Sequence, residues 1–149
     1  MSITIKNLES AFAGESQAFT KYMYFAKIAR AEGNEDVAKH FEHTASQELL
    51  HAHGHLELLI GKPSTKECLQ KAIDGETEEF THMYPTMHAE AVAEGNEAAA
   101  KEAEHQIEES KEHAEQFAEI LARAEKRFAA LQRVEKRHAE AYQRVMEAL

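Results

Sequence analysis

Carboxylates and imidazoles recur three residues apart along this chain, a spacing that could bind metal. Glu48 and His51 lie in "QELLHAHGH", while Glu15 and Glu76 each follow a glycine, in "AFAGES" and "AIDGET", and Glu79 comes one turn after Glu76. Residues three apart share one face of an α-helix, so both side chains can reach one point. Dinuclear iron and manganese sites in helical bundles take a Glu from each of two helices and Glu-x-x-His from each of the other two.

The spacing alone is weak evidence because glutamate is abundant. Glu-x-x-His occurs at Glu48/His51, Glu79/His82, Glu102/His105 and Glu135/His138. The position of these residues relative to the apolar face of each helix is stronger evidence. Glu15 lies among Phe12 and Phe19, and Glu48 and His51 lie on the apolar stripe that includes Phe41. A carboxylate that faces a core is costly unless it is paired or coordinated. This position favours a metal-binding role for Glu15, Glu48 and His51, whereas the pair at 102 and 105 is expected on a solvated face.

Long helices are needed to position these residues. The 149 residues include six Gly and two Pro, and the long intervals without them predict an all-α fold. We expect a first helix from near Asn7 to the "EGN" at 32–34, a second to about Ile60, and a third from near Thr65 to the "EGN" at 94–96. From 97 to 149 the chain has neither Gly nor Pro.

The two "EGN" sequences indicate an internal repeat. Glu15 and Glu76 are 61 residues apart but Gly33 and Gly95 are 62 apart, so the second copy has one extra residue. Pro85 lies in that interval, and a kink or one-residue bulge there would absorb it. Two repeated helix hairpins predict a four-helix bundle with approximate twofold symmetry.

The last segment carries an apolar heptad stripe that continues beyond such a bundle. One series of positions is Ala103, Ser110, Phe117, Ala124, Leu131, His138 and Val145, and the other is Ile107, Ala114, Leu121, Phe128, Glu135, Tyr142 and Leu149. A stripe of this length predicts one very long helix, or two with a bend, packed against a partner. We predict a bundle domain over 1–122 and a helical extension over 123–149 that serves dimerisation or domain swapping.

The amino-acid composition limits the kinds of molecule that this protein is expected to bind. The formal charge of −10 argues against nucleic acid, because few basic groups could neutralise phosphates. Cys68 is the single cysteine, so the sequence contains no disulfide framework and no four-cysteine iron site. No apolar run reaches the length of a membrane span, and "MSITIKNLES" does not resemble a secretory signal. We therefore expect a cytoplasmic protein.

Three stretches together resemble the rubrerythrins, which are ferritin-like di-iron proteins of peroxide defence. They are "AFAGESQAFTKYMYFAKIARAEG", "EHTASQELLHAHGHL" and "GETEEFTHMYP", and the resemblance covers about residues 6–120. It implies iron ligation by Glu15, Glu48, His51, Glu76 and Glu79. In the family, the residues matching Glu79 and His51 exchange at one iron as its oxidation state changes. Tyr22 and Tyr84 match tyrosines that hydrogen-bond and orient the ligand carboxylates.

The fourth helix departs from the family pattern of Glu-x-x-His. Counting from the second "EGN" places Ser110 at the Glu position and His113 at the His position. Glu109 lies one residue before the Glu position, so it could reach the metal site only if the helix shifted locally. "RFAALQRVEKRHAEAY" (127–142) matches the motif better, with Glu135 and His138, but its use would require the long helix to enter a partner subunit. Both pairs, Glu109/His113 and Glu135/His138, remain alternatives at this stage.

The resemblance implies a peroxidase that reduces hydrogen peroxide at two irons. The family usually carries a rubredoxin module with four cysteines, which this sequence lacks, so electrons are expected from a separate rubredoxin-like or flavoprotein donor. Three alternatives compete: a ferroxidase that uses oxygen, a manganese catalase-like enzyme, and a non-enzymatic acidic helical protein that binds a partner. Manganese or zinc could replace iron, and a homodimer is expected.

Overall fold

The computed structural model describes residues 2–148, and throughout that range the regular secondary structure is helical. The elements are α1 (Ile3–Ala31), α2 (Glu35–Ile60), α3 (Thr65–Glu78), a π-helical turn (Glu79–Met83), α4 (Tyr84–Ala93) and α5 (Glu97–Glu147). The all-α prediction is confirmed. The predicted start of the first helix near Asn7 is late, because Ser2 caps α1 by accepting a hydrogen bond from the Ile5 amide at 3.3 Å.

The chain forms two compact units, one ending at Pro63 and the other beginning at Ser64. The first is the α1–α2 hairpin, and the second packs α3 and α4 against α5. Both hairpins turn at their "EGN", where Gly33 (φ +82°) and Gly95 (φ +72°) adopt the left-handed conformation that glycine tolerates. The following asparagine amides bond back five residues, Asn34 to Ala29 at 2.8 Å and Asn96 to Ala91 at 2.9 Å. The repeat is therefore structural.

The extra residue of the second copy lies in the π-helical turn Glu79–Met83, directly before the helix that carries Pro85. A single π-turn accommodates one additional residue without breaking a helix. The predicted bulge is thus observed. α3, the π-turn and α4 together correspond to α1.

The buried apolar residues among 2–148 are all alanines: Ala26, Ala29, Ala38, Ala45, Ala52, Ala91, Ala100, Ala103 and Ala114. Small side chains let paired helices approach closely. Larger apolar residues contribute at the margins, as in the cluster of Tyr22, Phe25 and Phe41, whose ring centroids lie 5.6–6.3 Å apart. Each hairpin buries its narrow seam and leaves much of its apolar face accessible.

α5 runs unbroken for 51 residues, about 76 Å at 1.5 Å per residue. The start of α3 contacts its middle, where Lys66 Nζ lies 2.6 Å from Glu125 Oε1. The helix shows no break between 122 and 123, so the proposed domain division there stays a prediction. No helix within residues 2–148 has both the length and the apolar character required to span a bilayer.

Candidate metal centre

The α1–α2 hairpin brings together the three residues that the sequence places in phase with its core. One ligand atom each from Glu15, Glu48 and His51 lies within 4.8 Å of the others, the one such group of three among residues 2–148. His51 Nδ1 is 2.9 Å from Glu48 Oε2 and 4.0 Å from Glu15 Oε2. The two carboxylates are largely shielded, with 30% and 19% of their side chains exposed. This group is called half-site 1 below.

The second unit builds a related group from α3, the π-turn and α5. Glu76, the repeat partner of Glu15, lies 3.5 Å from His113 Nδ1 on α5. Glu79, at the start of the π-turn, accepts a hydrogen bond of 3.0 Å from the Ser110 hydroxyl. Ser110 is 2% exposed, and it is the one fully buried polar residue in the described part of the chain. Glu76, Glu79, Ser110 and His113 are called half-site 2.

The two tyrosines that the resemblance places beside the ligands lie in different surroundings. Burial raises the pKa of the Tyr84 phenol, and the negative charges of Glu79, Glu102 and Glu76 raise it further. Tyr84 therefore keeps its proton near neutral pH and can donate a hydrogen bond to a carboxylate. Tyr22 packs its ring against Phe25 and Phe41. An orienting role for either tyrosine stays a prediction.

The residues of α5 that the sequence offers as alternative ligands lie in different surroundings. His113 reaches Glu76, but Glu109 contacts its helical neighbours, with Gln106 Nε2 at 3.5 Å and His105 Nε2 at 3.5 Å. Glu135 and His138 are exposed in the last third of α5. The one-residue offset of Glu109 accounts for its position, because one residue turns the side chain by about 100° around a helix.

Sequence reasoning placed Ser110 at the glutamate position but assigned it no role. The structure shows that its hydroxyl binds Glu79, the carboxylate supplied by the opposite helix. The relevant sequence signal is the repeat itself, since Glu79 aligns with Ala18 when the 61-residue offset is applied.

The donors in both half-sites suit a first-row transition metal. Carboxylate oxygens and neutral imidazole nitrogens bind iron, manganese and zinc, and a carboxylate can bridge two cations. In half-site 1 the fold of the hairpin itself brings an imidazole and two carboxylates together. The residues present therefore fit a carboxylate-rich dinuclear centre.

Comparison with known proteins places the chain in a family. The family model named Rubrerythrin matches residues 6–146. Rubrerythrin from Porphyromonas gingivalis is 40% identical over 126 residues, covering 70% of this chain and 63% of that protein. Nigerythrin from Nitratidesulfovibrio vulgaris is 37% identical over 110 residues, covering 64% of this chain and 54% of the relative.

The chain thus spans between about half and two thirds of the length of these relatives. Among solved structures, mixed-valence nigerythrin matches 84% of this chain and 68% of its own, with 31% identity and a TM-score of 0.42. The match of the family model over nearly all of the sequence is decisive. The chain belongs to the rubrerythrin family of di-iron proteins.

Proposed function

We propose that this protein is a non-haem di-iron peroxidase that reduces hydrogen peroxide to water with electrons from a separate carrier. The observation that supports it best is the convergence of Glu15, Glu48 and His51 in half-site 1. Family membership supports the identity of the metal as iron, and manganese or zinc would fit the same donors. Two irons would supply the two electrons needed to cleave the O–O bond of peroxide.

We propose the carboxylates and imidazoles of both half-sites as metal ligands, because Glu and His on bundle helices are the donors that dinuclear centres use. Half-site 1 contributes Glu15, Glu48 and His51. Half-site 2 contributes Glu76, Glu79 and His113. Glu109 is disfavoured by its contacts with Gln106 and His105.

The residues around the ligands would hold the carboxylates and deliver protons. Reduction of hydrogen peroxide to two waters consumes two electrons and two protons. The Ser110 hydroxyl fixes one oxygen of Glu79 by donating to it at 3.0 Å. Tyr84 keeps an O–H near Glu79, so a carboxylate and a phenol are available to pass protons to the departing oxygens. The buried side of α5 limits the access of water at Ser110.

We propose that electrons come from a rubredoxin-like or flavoprotein donor. The 149 residues hold one cysteine, Cys68, so they cannot form a four-cysteine iron site themselves. A cytoplasmic location stays a prediction from the sequence.

The test combines metal analysis with rapid mixing. We expect about two irons per site in protein reconstituted anaerobically with ferrous iron, and faster oxidation of that protein by hydrogen peroxide than by air-saturated buffer. Peroxide turnover should require a reduced donor. Faster oxidation by oxygen would indicate a ferroxidase instead, and donor-independent disproportionation with bound manganese would indicate a catalase. Failure to bind any of these metals with helices intact would leave the helical binding protein as the remaining candidate.

A further inference from the structure

The polar side of α5 changes the sign of its charge along the helix. Positions spaced alternately three and four residues apart, from 102 to 144, lie on one line, because that spacing keeps side chains on one side of a helix. The line runs roughly opposite the buried residues Ala103, Ser110 and Ala114. Its first part carries Glu102, His105, Glu109, Glu112, Gln116 and Glu119, and its second part carries Arg123, Lys126, Ala130, Arg133, Arg137, Glu140 and Arg144.

The second part of this line forms a surface that we call the basic stripe, which consists of Arg123, Lys126, Arg133, Arg137 and Arg144. All five side chains are exposed, and the stripe is about 32 Å long at 1.5 Å per residue. Residues 123–149 carry seven Lys or Arg and four Glu, a formal charge of +3. Residues 64–122 carry four Lys and fifteen Asp or Glu, a formal charge of −11. The stripe is therefore a local basic surface on a strongly acidic protein.

The basic stripe is built mainly from arginine. Five of the six arginines of the chain lie between 123 and 144, and four of them belong to the stripe. The planar guanidinium of arginine can bind a carboxylate through two parallel hydrogen bonds, whereas the ammonium of lysine acts as a point charge. Arginine is also enriched at protein interfaces, where lysine is depleted. This composition favours a surface that recognises carboxylates over one that is only solvated.

The charges of the stripe are not used in ion pairs within the described part of the chain. There, the carboxylates of α5 that have a basic partner pair with Lys66, Lys136 and His105, and none contacts a residue of the stripe. Arg133 donates from Nε to the carbonyl of Ala129 on its own helix, at 3.2 Å. The guanidinium groups of the stripe are therefore available to the carboxylates of another molecule.

We propose that the basic stripe is the docking surface for an electron-donor protein that has an acidic face. This inference rests on the proposed function, which requires a separate electron carrier because the 149 residues contain a single cysteine. The stripe begins at Arg123, ten residues after His113 of half-site 2 and about 15 Å further along the same helix. Redox proteins form small interfaces with their partners, and opposite charges speed their encounter.

The charges beside the stripe favour a compact acidic protein over a nucleic acid. On the same line of the helix, Glu119 lies four residues before Arg123, and further glutamates precede it. A nucleic acid carries closely spaced phosphates along its whole length, so it would be repelled where it passed this acidic part. A protein can confine its carboxylates to one small face that lies on the stripe alone. Repulsion by the acidic part then directs such a face towards the end of α5.

The first test measures binding of a fluorescently labelled, reduced rubredoxin of net negative charge to the full iron-loaded chain, by anisotropy. We expect Arg133→Gln/Arg137→Gln to raise the dissociation constant about tenfold or more. The matched control is Lys101→Gln/Lys111→Gln, which removes two positive charges from the acidic part of the same helix. Both variants have the same net charge, so any general repulsion of an acidic donor changes equally in the two.

The control should bind rubredoxin within about twofold of the unmodified protein, and the difference between the two variants should shrink at high salt. Circular dichroism should show unchanged helicity, because all four replaced side chains are exposed. Equal weakening in both variants, or no weakening in either, would overturn the proposal. Binding of single-stranded RNA that Arg133→Gln/Arg137→Gln abolishes, without binding of rubredoxin, would also overturn it.

The second test aims to strengthen binding. Glu140 is the one acidic residue on the line between Arg123 and Arg144. Glu140→Gln should lower the dissociation constant for rubredoxin about threefold, because it removes a like charge from the surface that meets the acidic face. The matched control is Glu57→Gln on α2, which removes one negative charge elsewhere and should leave the affinity unchanged. No gain in Glu140→Gln, or an equal gain in Glu57→Gln, would contradict docking on the stripe.

The third test separates failure of the docking surface from failure of the proposed function. In stopped-flow mixing, reduced rubredoxin should reduce the oxidised iron of Arg133→Gln/Arg137→Gln about tenfold more slowly than that of Lys101→Gln/Lys111→Gln. Dithionite, which needs no docking surface, should reduce both variants equally, and peroxide should then oxidise both at the same rate. Equal reduction of the two variants by rubredoxin, with peroxide oxidation intact, would overturn the docking surface alone. An unmodified protein that peroxide does not oxidise would overturn the peroxidase proposal, and the binding comparison would still decide whether the stripe binds the donor.

Discussion

The two hairpins share the spacing of their candidate ligand positions but differ in the residues that occupy those positions. Glu48 and His51 follow Asn34 by 14 and 17 residues, and Ser110 and His113 follow Asn96 by the same numbers. The imidazole is retained in both hairpins, and each reaches a carboxylate from the opposite helix. The second hairpin has lost the carboxylate on its C-terminal helix.

The second hairpin also has a carboxylate that the first lacks. Glu79 occupies the position of Ala18, and the π-turn that begins at Glu79 follows directly after α3. Its oxygen accepts a hydrogen bond from the Ser110 hydroxyl, whose small side chain leaves room for the carboxylate. The two hairpins thus bring together equal numbers of candidate donors from partly different positions of the repeat.

The largest effect is expected at half-site 1. Glu48→Gln/His51→Gln keeps side-chain volume but removes one anionic and one imidazole ligand, and we expect iron affinity to fall about 100-fold or more. Iron titration followed by absorbance measures the change. The control is Glu57→Gln on α2, an exposed carboxylate 4.0 Å from Lys62, which should bind iron normally. Normal binding in Glu48→Gln/His51→Gln would exclude half-site 1 from the centre.

The next-largest effect on iron affinity should distinguish two histidines of α5. His113→Gln should lower iron affinity by about 10- to 100-fold because His113 lies beside Glu76. His138→Gln should leave iron affinity unchanged, since His138 is exposed in the last third of α5. Parallel iron titrations compare them, with circular dichroism as the check on folding. The reverse ranking would indicate that the ligand is His138 and not His113.

Ser110→Glu would give the second hairpin the Glu-x-x-His spacing that Glu48 and His51 have in the first. A second carboxylate beside Glu79 at a buried position should destabilise the metal-free protein by about 2 kcal/mol or more, through repulsion and desolvation. Bound iron should offset that loss. Ser110→Ala is the matched control, and losing the hydroxyl bond should cost about 1 kcal/mol with or without metal. Urea unfolding measures both, and a Ser110→Glu protein that iron does not stabilise would contradict this account.

The smallest effect concerns pH and the α1–α2 hairpin alone. Arg30 lies 3.0 Å from Glu35 and 2.8 Å from Glu42, and its guanidinium hydrogen bonds lower the pKa of both carboxyls below 4.5. Groups with a lowered pKa stabilise the folded state above their unfolded pKa, and the contribution disappears as pH falls through the folded value. All three side chains are exposed, so salt should weaken the effect.

The check is the urea midpoint at about pH 6 and about pH 3 for the unmodified protein and Arg30→Gln. The difference between the two proteins should be present at the higher pH and shrink at the lower. The second hairpin has no Arg at the equivalent place, because Val92 precedes its "EGN" at the offset of 62. An equal difference at both pH values would mean that the contacts of Arg30 with Glu35 and Glu42 make no pH-dependent contribution to stability.

The sequence alone determined the all-helical fold and the two hairpins, and it predicted most of the candidate donor residues. Glycine at the two "EGN" turns and the long intervals without Gly or Pro fix the helix ends locally. The offset between the repeats indicated the extra residue beside Pro85 because insertion in a helix has few structural solutions. Family motifs predicted Glu15, Glu48, His51 and Glu76 as ligands because those residues keep their spacing.

Only the tertiary structure decided which residues of α5 meet α3. Glu109 and His113 are both close to the expected positions along the helix, but the side that each presents depends on how α5 is rotated against α3. That rotation is set by the alanine seam and by the buried Ser110, whose bond to Glu79 no local pattern encodes. Helical periodicity defines a face, and packing against another helix determines what that face touches.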